Sequence, residues 1–248
     1  FLWRHQTDGG PPEALGKKVK EEKRVIPWEE IDRAEIPGCE GDVTLLKRGA
    51  EFSIRTAGVE LMNSRRHGSE DALAELTCRR IKQKFDLRIL IGGLGMGYTL
   101  AAALGQSEPD TRITVSELIP AVVRWNREHL GHLAGTPLDD ARVSVQEEDV
   151  AETIQKRKSA WDAILLDVDN GPEGLTRKAN DCLYGRSGLK TAFSALRPGG
   201  ILAIWSCVAD EAFTRRQKQC GFRTETVTVR ARKPGKGARH TIWLAEKP

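Results

Sequence analysis

The sequence predicts an α/β protein with a doubly wound, mostly parallel, seven-stranded sheet and a small N-terminal β-meander. From residue 87 onward, short apolar runs alternate with segments of helical spacing, as in consecutive β/α units. The predicted strand 162–167 contains one continuous apolar run, 163–166, which is typical of a strand buried on both faces of a parallel sheet. The segments 224–232 and 240–246 flank a Pro-Gly turn and predict an antiparallel pair that closes the sheet.

The region before the sheet divides into two predicted parts. Residues 1–41 are predicted to be a polar tail, because 17–24 is a run of charges of both signs. Residues 42–68 are predicted to form the β-meander, because apolar and polar residues alternate around turns in 43–48, 52–56 and 59–62.

The α/β domain is predicted to span residues 69–248. It should begin with a helix over 69–85, with Ser69 as its N-cap. The same patterns place further strands at 87–91, 112–117, 142–146, 162–167 and 201–206, and further helices at 97–104, 120–130, 150–156, 183–196 and 210–220.

Composition excludes several classes of protein. The 248 residues carry a formal charge of +4 and 39% hydrophobic residues, which suits a soluble globular chain without a membrane partner. The N-terminus lacks the design of a secretion signal, and the five cysteines are scattered, so we expect a cytoplasmic protein with reduced thiols. His129 and His132 lack partners at ligand spacing, so no metal site is expected.

Candidate site residues lie at the carboxyl ends of the predicted strands, where open α/β sheets bind ligands. The first strand ends in Gly92-Gly93-Leu94-Gly95-Met96-Gly97, whose backbone amides can approach a ligand closely. Glu117 ends the second strand and can accept from ribose hydroxyls, while Asp149 ends the third and can accept from an adenine amine. The pattern predicts an adenosine-containing ligand bound by Gly93, Leu94, Gly95, Gly97, Glu117, Leu118, Asp149 and Val150.

The glycine spacing indicates which adenosine ligand to expect. The third glycine comes one residue too early for the dinucleotide fingerprint, and no P-loop motif is present. The Gly-x-Gly-x-Gly turn, the acids at 117 and 149, and Leu196-Arg-Pro-Gly-Gly-Ile-Leu202 resemble the class I S-adenosylmethionine-dependent transferases. Within them, Ile91–Leu100, Asp167-Val-Asp-Asn-Gly-Pro172 and Cys182-Leu-Tyr184 resemble the spermidine/spermine synthase family.

This resemblance implies a class I methyltransferase-like Rossmann fold, a homodimer and a sulfonium donor, either S-adenosylmethionine or its decarboxylated form. Such a donor is already activated, so transfer needs neither a metal nor a protein nucleophile. We expect Asp167 to be the catalytic residue that orients the acceptor and takes up its proton. Asp169, Asn170 and Tyr184 are expected to line the pocket of a small-molecule acceptor, with an amine as one option.

Departures from the family pattern favour a remodelled acceptor site. Met96 stands where the family has an acid that holds the aminopropyl ammonium, and Asn170 replaces the second acid of its catalytic loop. Ser69-Glu70 corresponds to the family's Asp-Glu, preceded by a basic Arg65-Arg66-His67. Because loss of the acid at 96 removes a repulsion against the methionine carboxylate, methyl transfer is the expected reaction.

Three alternatives stay open. The first is aminopropyl transfer of the spermidine synthase type, and the second is a non-catalytic nucleoside-binding protein. The third is nucleic-acid modification through the basic segment 230–239, but the few aromatic residues and the modest net charge argue against a nucleic-acid partner.

Overall fold

The N-terminal part of the chain forms a four-stranded antiparallel sheet. The computed structural model describes residues 26–81, 85–168, 183–232 and 236–248. Four strands pair in chain order: β1 (Glu29–Glu35), β2 (Asp42–Arg48), β3 (Glu51–Thr56) and β4 (Val59–Asn63). The last three match the predicted meander.

Strand β1 lies inside the segment predicted to be a polar tail. Its sequence is mostly charged, so hydrophobic periodicity gave no signal for it. The strand forms because its backbone pairs with β2 from Glu29 to Glu35 and because Ile31 and Ala34 pack against the core. The charge run at 17–24 lies outside the described residues.

The α/β domain is built on a seven-stranded sheet in the order β10-β11-β9-β8-β5-β6-β7. In this sheet β11 is antiparallel to both neighbours, and the other pairings are parallel. The predicted fold class, doubly wound and mostly parallel, is confirmed. The strands are β5 (Arg88–Gly92), β6 (Arg112–Ser116), β7 (Val143–Gln146), β8 (Trp161–Leu166), β9 (Leu196–Ser206), β10 (Arg223–Arg232) and β11 (Lys236–Glu246).

Helices cover both faces of this sheet, and the alternation along the strands explains why. In β8, Ala163 and Leu165 point into one core, whereas Ile164 and Leu166 point into the other. Residues of the first three helices belong to one core and residues of the last three to the other. The helices are α1 (Gly68–Arg80), α2 (Tyr98–Gly105), α3 (Pro120–Trp125), which continues into a π-helical turn Asn126–Leu130, α4 (Val150–Gln155), α5 (Arg186–Ala195) and α6 (Glu211–Gln219).

The start of α1 differs from the prediction. The helix begins at Gly68 with His67 in the N-cap position, and no side chain caps it. Ser69 therefore lies inside the first turn, where its Oγ donates to Glu70 Oε2 at 2.5 Å rather than accepting from a backbone amide.

The two sheets share one apolar core. Val43, Leu45 and Ile54 of the N-terminal sheet belong to the same buried cluster as Leu73 of α1 and Val122 of α3. A polar contact adds to this packing at Asp32 of β1, as described below. Among the described residues, none of the helices has the length and apolar character needed to cross a membrane.

The strand order fixes where a ligand can bind. The chain runs from β5 outward to β6 and β7, then crosses back to β8 on the other side of β5. The loops after β5 and β8 therefore diverge at their carboxyl ends and leave a crevice between them.

Candidate active site

A cavity lies at this crevice, between the carboxyl ends of the parallel strands and the N-terminal sheet. The wall from the strand ends carries both polar and apolar residues, and the wall from the N-terminal sheet is apolar. Polar and glycine positions are Glu70, Gly93, Gly95, Ser116, Glu117, Asp149 and Asp167, and apolar ones are Ile36, Val43, Ile54, Leu61, Met62, Leu118, Ile119, Val122, Val150, Val168 and Trp205. Six of the eight predicted cofactor residues line it, namely Gly93, Gly95, Glu117, Leu118, Asp149 and Val150.

The glycine turn after β5 is shaped by close contacts. A Cβ at Gly93 would lie 2.4 Å from the carbonyl oxygen of Asp167, because this loop packs directly against the end of β8. Gly93 also has φ +87°, which disfavours any residue with a side chain. A Cβ at Gly95 would meet the Met62 thioether at 2.9 Å. The lack of a side chain at these glycines therefore lets the loop pack closely against its neighbours.

Most backbone amides of this turn are already bonded within the protein. Gly93 donates to the Ser116 carbonyl at 2.9 Å, and Gly97 donates to the Leu94 carbonyl at 2.8 Å. The Met96 amide donates to the Met62 Sδ at 3.2 Å. The expectation that the amides of this turn hold the ligand is therefore not supported for these positions. Leu94 and Gly97 lie outside the lining, and their part is to shape the turn.

Glu117 links the glycine turn to the start of the next loop. It is 7% exposed, and its Oε2 and Oε1 accept from the amides of Leu94 at 2.8 Å and Ile119 at 2.9 Å. Glu117 is therefore held at both carboxylate oxygens beside the cavity that it lines.

Asp149 both caps a helix and lines the cavity. Its Oδ1 accepts from the Ala151 amide at 2.9 Å and so caps α4, while the residue also lines the cavity. Val150, the next residue, is an apolar neighbour at the same wall. A carboxylate next to an apolar side chain suits a nucleobase, which needs both an apolar contact for its ring and a hydrogen-bond acceptor for its amine.

Two carboxyl groups, Asp167 and Glu70, line the same cavity. Asp167 follows β8, and its Oδ2 accepts from Thr99 Oγ1 of α2 at 2.7 Å. Glu70 comes from the first turn of α1 and is 7% exposed. Burial raises the pKa of both groups, and the charge of Asp167 raises the pKa of Glu70 further. The pair therefore favours holding a proton that isolated carboxylates would release.

Several site residues were not predicted from the sequence. Met62, Thr99 and Trp205 gave no signal, because each has the sequence context of an ordinary core or helix residue. The fold brings Met62 and Trp205 to the cavity and Thr99 to the Asp167 carboxylate. Trp205 lines the cavity, and in the described part of the chain its buried Nε1 finds no hydrogen-bond acceptor. Glu70 could have been found from its correspondence with the family's Asp-Glu stretch.

Of the three predicted acceptor residues, Tyr184 lies in the described part of the chain. Tyr184 is 2% exposed and lies in the core formed with α5 and α6, where its ring meets Phe213 edge-on at 5.8 Å. It does not line the cavity, because the apolar contacts of its ring bury it under the opposite face of the sheet. Asp169 and Asn170 lie outside the described residues.

Comparison with known proteins gives the family. The family model for the spermine/spermidine synthase domain matches residues 88–220, which is more than half of the chain. The chain belongs to the spermine/spermidine synthase family.

Relatives of this spermine/spermidine synthase family member agree with that assignment. Polyamine aminopropyltransferase 2 of Pseudomonas aeruginosa is 32% identical over 120 residues, which are 47% of this chain and 32% of that protein. The chain thus spans about a third of the length of this curated relative. Spermidine synthase from Thermotoga maritima superposes with a TM-score of 0.70 at 17% identity, covering 88% of this chain and 73% of that one. A probable spermidine synthase from Corynebacterium glutamicum gives a TM-score of 0.62 at 16% identity, covering 89% and 80%. These structural likenesses show the fold.

The expectation of methyl transfer is wrong. The matching family model describes spermine and spermidine synthases, and the curated relative is a polyamine aminopropyltransferase. The structure also removes the basis of that expectation. Met96 is fully buried in the core and does not line the cavity, so its lack of charge carries no information about a donor carboxylate there.

Proposed function

We propose that this protein transfers an aminopropyl group from decarboxylated S-adenosylmethionine to a small amine acceptor. The observation that carries the proposal is the carboxyl pair Asp167 and Glu70 in the same cavity as Glu117 and Asp149. Membership of the spermine/spermidine synthase family supports the reaction type.

The residues at the cavity fit the nucleoside part of such a donor. Glu117 would accept from the ribose hydroxyls, and Asp149 would accept from the exocyclic amine of the adenine. Ile119, Val122 and Val150 provide apolar contacts for a planar ring. The bound donor supplies an electrophilic carbon next to a sulfonium, so the protein needs only to align the acceptor and handle its proton.

Asp167 is the proposed catalytic residue. An amine attacks only in its neutral form, and it becomes positively charged as the new bond to carbon forms. A carboxylate at this position would attract the amine, orient it and take up the released proton. Burial favours proton uptake, because it raises the pKa of the Asp167 carboxyl.

The metal-free chemistry, the homodimer and the cytoplasmic location expected from the sequence stay predictions.

The test is a turnover assay with purified protein and decarboxylated S-adenosylmethionine. A panel of straight-chain diamines, a triamine and monoamines should include an acceptor that yields methylthioadenosine and an aminopropylated amine. Asp167→Asn should lower kcat at least ~100-fold, the usual effect of losing a general base. Its affinity for methylthioadenosine should change little.

Asp110→Asn, at an exposed position remote from the cavity lining, is the matched control and should retain full turnover. Tight binding of methylthioadenosine without turnover of any amine would contradict the proposal and favour a non-catalytic nucleoside-binding protein. Equal kcat values for Asp167→Asn and the control would contradict the role of Asp167.

A further inference from the structure

A chain of hydrogen bonds leads away from the carboxyl pair. Ser69 Oγ donates to Glu70 Oε2 at 2.5 Å, and His240 Nδ1 lies 2.8 Å from the same Ser69 Oγ. Ser69 and Glu70 belong to the first turn of α1, whereas His240 belongs to β11, so the contact joins segments 171 residues apart.

The end of this chain at His240 is the most exposed part. Ser69 is fully buried and Glu70 is 7% exposed, whereas His240 is half-buried. The ring of His240 meets Trp205, which lines the cavity, edge-on at 4.8 Å. The chain therefore runs from the acids at the cavity to a side chain that reaches solvent.

We propose that Ser69 and His240 form a proton relay by which the proton released by the acceptor amine leaves the Asp167–Glu70 pair. This inference rests on the proposed aminopropyl transfer. Both residues act through the acids, so they are positioning residues and do not touch the reacting atoms.

The proton balance of the step is complete without another reactant. The lone pair of the amine forms the new bond to carbon, while the carbon–sulfur bond breaks and its electron pair stays on sulfur. The product ammonium releases one proton, which the Asp167–Glu70 pair takes up. With Glu70 protonated and His240 in its Nε2–H tautomer, Ser69 Oγ accepts the proton of Glu70 and gives its own hydroxyl proton to His240 Nδ1. His240 Nε2 then releases its proton to solvent.

The surroundings of His240 suit this task. Burial and the nearby positive charge of Arg66 lower the pKa of His240, so the ring is neutral at neutral pH. A neutral imidazole can accept a proton at one nitrogen and release one from the other. Each transfer leaves the ring neutral with its proton on Nδ1, so the ring must exchange to the Nε2–H tautomer before the next turnover.

The groups around Glu70 change its pKa in opposite directions. Asp167 disfavours ionisation of Glu70, while His67 and the Ser69 hydrogen bond favour it. The pKa of Tyr98, whose ring stacks on His67 at 4.0 Å, is raised to about 12 mainly by burial, so Tyr98 stays protonated. Ser69 is thus the described hydroxyl that bonds to the Glu70 carboxylate and also continues to a titratable group.

The kinetic test compares Ser69→Ala, His240→Gln and the double variant. Each single change should lower kcat about tenfold, below the usual effect of losing the general base itself. The KM for decarboxylated S-adenosylmethionine should be unchanged. If both residues serve one relay, the double variant should be no slower than either single variant. His129→Gln, a half-buried histidine outside the cavity lining, is the matched control and should keep the original rate.

Chemical rescue separates a relay from a structural role. Added imidazole should restore turnover of His240→Ala several-fold, because it can take the proton from Ser69. It should not accelerate Ser69→Ala. A change in KM without a fall in kcat would overturn the relay. Additive effects in the double variant, or no rescue by imidazole, would also overturn it.

A measurement without turnover makes failure of the relay distinguishable from failure of the proposed function. Nitrogen-15 NMR of His240 should show two inflections with pH, one for the ring itself and one as the Asp167–Glu70 pair titrates. Ser69→Ala and Glu70→Gln should each remove the second inflection. A single inflection that is the same in all three proteins would overturn the relay, whatever reaction the protein catalyses.

Discussion

The carboxyl groups at the cavity are chemically alike, but their hydrogen-bond partners differ. Glu117 accepts from two backbone amides, and Asp149 accepts from the amide of Ala151. Glu70 and Asp167 are each held by a hydroxyl, from Ser69 and Thr99 respectively. Burial then disfavours their charge. At the residue scale, the structure therefore separates carboxylates suited to binding from a pair suited to proton transfer.

The Asp167–Glu70 pair makes the free energy of unfolding depend on pH. The folded state raises the pKa of Glu70 and Asp167. Above about pH 4, where such acids ordinarily ionise, the folded state therefore binds more protons than the unfolded chain. Stability should therefore fall as the pH rises from about 4 towards neutrality and then level off. Glu70→Gln should flatten this decline and leave the protein more stable than the original at pH 8. Urea unfolding of both proteins at pH 5, 6, 7 and 8 measures this dependence of stability on pH.

Glu75→Gln, in a more exposed ion pair with Arg79 on the same helix, is the control for this experiment. An exposed pair of this kind contributes up to ~0.5 kcal/mol, so the control should keep the pH dependence of the original protein. A decline that persists in Glu70→Gln would contradict the assignment of the pH dependence to the pair.

At the element scale, two helices begin with an aspartate in the same structural role. Asp149 caps α4 through the Ala151 amide, and Asp210 caps α6 through the amides of Ala212 and Phe213. Asp149 also lines the cavity, whereas Asp210 does not. Comparing Asp149 with Asp210 therefore separates the capping role of an aspartate from its role in binding.

Asp149→Ala and Asp210→Ala should each lower the free energy of unfolding by about 1 kcal/mol, the usual cost of losing an N-cap. Only Asp149→Ala should weaken binding of methylthioadenosine. Urea unfolding and isothermal titration calorimetry measure the two effects. If both variants bind methylthioadenosine as the original protein does, Asp149 has no role in the nucleoside site.

The elements show which parts of the structure the sequence could predict. The apolar strands, the glycine turn and the acids at strand ends were found because local pattern and the switch-point rule place them. Strand β1 was missed because its stability comes from pairing with β2 rather than from its own apolar residues. Tyr184 was misplaced because closeness in sequence to the acidic loop does not reveal which face of the sheet buries a ring.

At the scale of the whole molecule, the site depends on contacts between distant segments. Ser69 meets His240, and Met62 of the N-terminal sheet meets the amide of Met96. No local pattern predicts such contacts, because they arise only when the N-terminal sheet and the terminal hairpin dock on the α/β domain. The docking of that sheet therefore bears on the shape of the cavity.

Asp32 of β1 makes a polar contact that helps hold the two sheets together. Its Oδ2 accepts from Trp125 Nε1 at 2.7 Å and from Arg124 Nη2 at 2.6 Å. The bond from Trp125, followed by that from Arg124, lowers the pKa of Asp32 to about 2. Because the folded state favours the charged form, this contribution is present above the ordinary aspartate pKa near 4 and is lost as the pH falls towards 2.

Asp32→Asn should therefore destabilise the protein by about 1 kcal/mol at pH 7, since 35% of the Asp32 side chain is exposed and water screens part of the interaction. Urea unfolding at pH 7, 5 and 3 should show the difference from the original protein shrinking as the pH falls. Glu30→Gln, which removes an exposed ion pair of Arg33 on the same strand, is the control and should leave the stability almost unchanged. A difference that stays constant with pH would mean that the charge of Asp32 does not stabilise the docked sheet. In that case the shared apolar core alone would hold the N-terminal wall of the cavity in place.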